Sequence, residues 1–350
     1  MSDVTGQGVS GTQPGRDALT GASTNGAGRS NRGGRGGGRR GEQPMVPKAE
    51  FTSYYGLPIL NAPVWHSPDI PGYLFLGGLA GASSVLAAGA HVTGRRDLAM
   101  RSKVVATGAI GLSAAALVHD LGRPSRFYNM LRVLKPSSPM SVGSWLLAAY
   151  GPAAAVAGAT AVLDRFHRVG AGATAAAAVL GPAVATYTAA LLCDTAVPAW
   201  HEGYREMPFL FAGSSAAAAG GVGLITAPSG QSGPARRLAV MGAALETVAA
   251  QQMEHRLGMV GEPYRQGVAG RYLKVGRALT ASGVVVALVG RRSRVASAAA
   301  GAALAASSAL TRFGVFEAGK QSAADPKYTV EPQRQRIADR TGTGRSRGCD

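Results

Sequence analysis

The sequence predicts an all-α integral membrane protein, a polytopic bundle of about eight transmembrane helices between disordered termini. Two observations predict it. Uncharged windows of about 20 residues recur between residues 70 and 313, each long enough to cross roughly 30 Å of hydrocarbon. Stretches such as Gly170–Cys193 and Met207–Pro234 present no polar face to water, which argues against an Ala-rich soluble bundle. The mean hydropathy of +0.08 conceals this, because polar termini lower the average and alanine supplies most of the 46% hydrophobic share.

Residues 1–48 read as a disordered Gly/Arg-rich tail, with R-G-G-R-G-G-G-R-R at 32–40, too poor in apolar side chains to offset its ordering entropy. It contains no apolar core of a signal peptide. No aromatic residues are interleaved for base stacking, so the net charge of +17 is assigned to membrane lipid headgroups and not to nucleic acid. Residues 49–69 form an interfacial aromatic and Pro-rich segment, in which Tyr54, Tyr55 and Trp65 suit a membrane–water boundary. The transmembrane domain then runs over 70–313, with spans expected at Ile70–Val92, Lys103–His119, Val142–Leu163, Ala171–Cys193, Met207–Ala227, Ala235–Glu254, Tyr272–Gly290 and Val295–Phe313. Their Gly, Ala and Ser content, as in Gly77-x-x-x-Gly81, lets backbones approach closely. A polar C-terminal tail is expected over 314–350.

With eight spans, connections after odd-numbered helices share one side of the membrane and those after even-numbered helices the other. The odd connections are short and basic, which favours the cytoplasm for that side, although Arg and Lys after the second and sixth spans offset the bias. The even side gathers Trp65-His66, His119-Asp120-Arg123, the run from Asp194 to His201, and Glu254-His255. Ionisable groups near hydrocarbon are costly and tend to be functional, so this segregation marks a candidate site.

Quinone reduction takes two electrons and two protons, and its site needs a donor at a carbonyl, an apolar wall and acid–base groups leading to water. The even side supplies all three. His66, Tyr187 and His201 are donors; Trp65, Trp145 and Trp200 are walls; His119, Asp120 and Asp194 exchange protons, with Arg123 as the partner of Asp120. Glu246 lies near the middle of the sixth span, and Glu254, eight positions on, shares its helical stripe. The two read either as a proton route running inward or as a Glu bonded to a neighbouring helix. A transporter or ion-translocating subunit is the second reading; it calls for inverted repeats, which 70–193 and 207–313 do not display.

The two cysteines, Cys193 and Cys349, rule out a self-contained Cys-ligated iron–sulfur cluster. All six histidines sit in connections or at span ends, which argues against intrinsic haem, and no metal site is expected. Gly314-V-F-E-A-Gly319-Lys320 resembles a P-loop only until Gln321, where a hydroxyl should stand.

Several motifs together resemble the NrfD/PsrC family, the polysulfide-reductase-type membrane subunit of molybdopterin oxidoreductase complexes. They are Y-L-F-L-G-G-L-A-G at 73–81, D-L-G-R-P-S-R-F at 120–127, S-P-M-S-V-G-S-W at 138–145, Tyr187 with L-L at 191–192, V-P-A-W-H at 197–201 with P-F-L-F at 208–211, and Glu246. The ending G-K-Q-S-A-A-D-P-K-Y-T-V at 319–330 is similar to formate-dehydrogenase-associated members. The resemblance covers about residues 54–330. It implies a multi-pass plasma-membrane subunit that binds menaquinone or ubiquinone and carries no redox cofactor of its own. It also implies a four-cluster ferredoxin-like iron–sulfur subunit docked on the chain, beside a molybdopterin catalytic subunit. In relatives an Asn and a His before the first span and a Tyr of the fourth helix contact the quinone, and Asn61, His66 and Tyr187 are the counterparts here. The Asn–His spacing and the inserted prolines depart from the family pattern.

Overall fold

A computed structural model of the chain describes residues 59–61, 63, 65–121 and 126–345. The tail expected over 1–48, the tyrosines at 54 and 55, and Arg123 lie outside the described residues. Eight long helices follow in order: α1 (Asp69–Val92), α2 (Arg96–Asp120), α4 (Pro139–Leu163), α5 (His167–Cys193), α7 (Met207–Thr226), α8 (Gly233–Leu257), α9 (Gly267–Val289) and α10 (Arg294–Ala324). Two short helices, α3 (Arg126–Met130) and α6 (Pro198–His201), lie in connections, and α11 (Lys327–Arg345) closes the described chain. Among the described residues there is no strand.

The starts of several helices follow from their prolines. Pro139, Pro198, Pro208 and Pro234 occupy the first positions of α4, α6, α7 and α8, where a missing N–H costs nothing and the fixed φ is already helical. Pro152 and Pro182 sit inside α4 and α5, and both helices run through them unbroken.

Seven of the eight long helices are long and apolar enough to cross a membrane. The eighth, α8, has the length at 25 residues but carries Arg236, Arg237, Glu246, Glu254 and Arg256. The expectation of eight apolar spans is corrected to that extent. The polar groups of α8 meet partners on neighbouring elements, and its small residues pack directly against α7.

Two boundaries also differ from the expected ones. α2 starts at Arg96, well before Lys103, so Arg101 and Lys103 belong to its first turns. α10 runs past Phe313 to Ala324, and Val315, Phe316, Ala318 and Ala323 are buried, so this stretch is core and not tail. The P-loop look-alike at 314–320 is the interior of this helix.

α1 is the central element, packed against α2, α5 and α7. It crosses α5 at Gly81 and Gly181, and a Cβ on either glycine would strike the other's backbone carbonyl. Helices that meet this closely gain dispersion contacts where no hydrophobic effect drives association.

Hydrogen bonds between successive connections define two rims. On one rim Gln231 Nε2 donates to Asp97 Oδ2 at 2.7 Å, and Arg294 Nη1 donates to the Ala227 carbonyl at 2.6 Å. On the other, Arg256 Nε donates to Glu206 Oε1 at 2.7 Å, Tyr264 donates to the Ala199 carbonyl at 2.9 Å, and Lys327 Nζ donates to Glu262 Oε2 at 3.0 Å. The Arg256 guanidinium holds the Glu206 carboxyl below the usual range, and Lys327 does the same for Glu262. Burial pushes the Tyr328 phenol, which also donates to Glu262, up to about 12.

Candidate functional site

The second rim carries the cavity of interest. It lies among α1, α2, α4 and α5 and has a volume of about 100 Å³. Trp65, Tyr73, Asp120, Met140, Gly143 and Tyr187 are among its lining residues, with Leu74, Leu117, Leu147 and Leu192 as apolar wall. Sequence positions more than 100 apart therefore meet because α1 sits between the helices that carry them.

Two polar pairs frame this cavity. The hydroxyls of Tyr73, buried on α1, and Tyr187, half-buried on α5, are hydrogen-bonded to each other. Tyr187 is seated by Gly143 of α4, where any Cβ would overlap the phenol ring. At the mouth, Asp120 Oδ1 accepts from the backbone N–H and from Nδ1 of His66, both at 3.3 Å. The His66 side chain is 75% exposed and Asp120 only 14%, so the pair runs from solvent into the wall. His119 belongs to a neighbouring pair on the same rim, its Nδ1 donating to Asp69 Oδ2 at 2.9 Å.

The aromatic wall differs from the expected one. Trp65 lines the cavity and stacks on Trp200, centroids 5.6 Å apart. Trp200 lies behind it, fully buried, with Nε1 donating to the Val315 carbonyl at 2.8 Å and its ring against Phe316. Trp145 is exposed on the outside of α4 and forms no part of the wall. His201 is exposed with Nδ1 3.2 Å from the Cys193 carbonyl, and Asn61 is exposed; neither lines the cavity.

Glu246 and Glu254 line a different cavity, of about 690 Å³, between α8 and α9. Thr311 Oγ1 donates to Glu246 Oε1 at 2.7 Å. Glu254 at the rim end is paired with Arg277 and with Arg265, the latter at 3.4 Å. The sequence stripe thus exists, but it does not lead from the Tyr187 cavity, and no residue lines both.

Sequence reasoning passed over Tyr73, Asp69, Thr311 and Arg312. Tyr73 had a readable signal, a hydroxyl one turn into an apolar span. Arg312 falls inside the expected span Val295–Phe313, and in the structure it is fully buried in α10.

The arrangement suits a flat, weakly polar ring. Apolar walls hold its faces, the Tyr187 phenol, accepting from Tyr73, can donate to an oxygen, and a His–carboxylate pair connects the mouth to water. The cavity is somewhat smaller than the roughly 150 Å³ that holds benzene. The flexible side chains of Met130 and Met140 on its wall are the natural ones to yield.

No curated protein matches the sequence. Residues 59–228 match the model of the family described as "Polysulphide reductase, NrfD", a stretch that begins before α1, ends after α7 and contains every described lining residue of the Tyr187 cavity. Over that stretch the chain is similar to the NrfD family, and its seven helices long and apolar enough to cross a membrane indicate a multi-pass membrane protein.

Proposed function

We propose that this chain is the quinone-reactive membrane subunit of a molybdopterin oxidoreductase complex of the formate dehydrogenase or polysulfide reductase type, in the plasma membrane. It moves electrons between a docked four-cluster iron–sulfur subunit and the menaquinone or ubiquinone pool. The observation that carries this reading is the pairing of two phenol hydroxyls with a His–carboxylate couple on one apolar cavity.

In this reading a quinone enters ring first, with its tail left in the lipid. Tyr187 donates to one carbonyl and Tyr73 keeps the Tyr187 hydroxyl oriented. The reaction takes two electrons from the iron–sulfur partner and two protons from water, and gives the quinol. Asp120 and His66 pass protons at the mouth, where His66 meets solvent. Trp65 covers one ring face. The chain's two cysteines cannot ligate a cluster by themselves, so the electron carrier belongs to the partner.

Purified protein in nanodiscs, titrated with a short-chain menaquinone, tests this. Trp65 fluorescence should be quenched saturably, and Tyr187→Phe should weaken the quenching about tenfold, the value of roughly one hydrogen bond. Quenching that does not saturate, or a Tyr187→Phe curve identical to the parent's, removes the quinone assignment.

A further inference from the structure

The 690 Å³ cleft between α8 and α9 is within the range of small-molecule sites, and its walls are mainly apolar, with Val240, Val248, Val284 and Val285 among them. It lies beyond the part of the chain that matches the NrfD model, apart from Leu210. α8 and α9 hardly touch, and each packs instead on a different neighbour, α7 and α10 respectively. The space between them is therefore built into the fold and is not a packing slip.

Deep in this cleft stands Glu246, only 6% exposed. Thr311 satisfies Oε1, and Oε2 is buried with no partner at hydrogen-bond distance, the Ser214 hydroxyl standing near the carboxyl without closing a bond to it. An unsatisfied buried carboxyl oxygen is expensive whether it carries a proton or not. Arg312 is fully buried close by and interacts electrostatically with Glu246; its Nη2 donates to the Phe211 carbonyl and to Ser215 Oγ, both at 2.8 Å. The guanidinium disfavours a cationic ligand and the carboxyl disfavours an anionic one. A neutral hydroxyl satisfies Oε2 in either protonation state, since it can donate to a carboxylate or accept from an acid. At the rim end of the cleft, roughly 12 Å along the helix from Glu246, Glu254 is held between Arg277 and Arg265.

We infer that this cleft is a second ligand site, taking one neutral long-chain lipid that carries a hydroxyl, with the hydroxyl on Glu246 and the chain between α8 and α9. A charged headgroup cannot reach that depth at acceptable cost, so the ligand is a weakly polar lipid that already resides inside the bilayer. An isoprenoid alcohol and a quinol share this chemistry.

The test uses the full-length protein in nanodiscs, irradiated with diazirine-bearing hexadecanol and, in parallel, with the diazirine-bearing alkane and fatty acid. The alcohol should crosslink to α8 and α9 peptides about tenfold more than either counterpart. Glu246→Leu should abolish that preference. Val284→Trp, which fills the cleft and leaves the carboxyl in place, should block labelling. Displacement by unlabelled farnesol or by a short-chain quinol identifies which membrane source supplies the hydroxyl. Labelling by the alkane or the acid equal to that by the alcohol, labelling that survives Val284→Trp, or no labelling of α8 and α9 overturns the inference. Tyr187→Phe should leave the result unchanged, so failure here is separable from failure of the quinone reading.

Discussion

Asp120 receives both the backbone N–H and the Nδ1–H of His66, fifty-four residues earlier, and this one carboxylate oxygen ties the segment before α1 to the end of α2. Most polar pairs on this rim work similarly, joining one connection to the next.

Replacing Asp120 with Asn keeps the shape and removes the charge. The exposed His66 makes the pair weak in stability terms, below about 1 kcal/mol. Quinone-linked turnover of the assembled complex should nevertheless fall several-fold while thermal stability barely moves. Comparing turnover with the melting curve checks this, and unchanged turnover would reduce the pair to a surface tether.

Gly143→Ala should act on the same cavity from the other wall. The new methyl group displaces the Tyr187 ring and with it the bond to Tyr73. Quinone affinity should drop by about tenfold, close to the Tyr187→Phe effect, and the double variant should add little because both remove one interaction. Fluorescence titration of the three variants measures it.

Trp200→Ala should be among the most damaging single changes. It removes a fully buried indole, its bond to Val315 and its stack on Trp65, at a cost of about 3–5 kcal/mol. Thermal unfolding in detergent, together with a red shift of Trp65 emission, reports the loss.

Acid should loosen the second rim. Glu206 and Glu262 are held below the ordinary carboxylate range by Arg256 and Lys327, so their contribution is fully present above the unfolded value of about 4.3 and is lost as pH falls through the lower folded value. Melting temperature should therefore be level from neutral pH down to about 5 and decline below about 4.3. Glu206→Gln should flatten that decline, and an acid limb unchanged in the variant would point to other carboxylates.

How far this was legible from the sequence depends on what each feature rests on. The spans were readable because uncharged length is a local property. Their ends were less so. The basic Arg101 and Lys103 made the start of α2 look like loop, although long cationic side chains can lie along a helix that has already begun. Glu317 and Lys320 made the end of α10 look like tail, whereas they stand three apart on one helix, 4.0 Å from each other. In the site, Trp65, Asp120 and Tyr187 were identifiable by residue type and side of the membrane. The partner of Asp120 was not, since pairing across fifty-four residues depends on how α1 and α2 dock. Nor could the sequence show that Glu246 opens onto a separate cleft, because that follows from α8 and α9 failing to meet.

Trp200 stands between Trp65, from the earliest described part of the chain, and Val315 with Phe316, close to its end. Biosynthesis delivers these pieces in order, so the indole lacks its Val315 acceptor until α10 has been threaded into the bilayer. The pocket beside Trp65 is consequently among the last parts of the molecule to be completed, and a chain interrupted before that helix would reach the membrane with its entrance unformed.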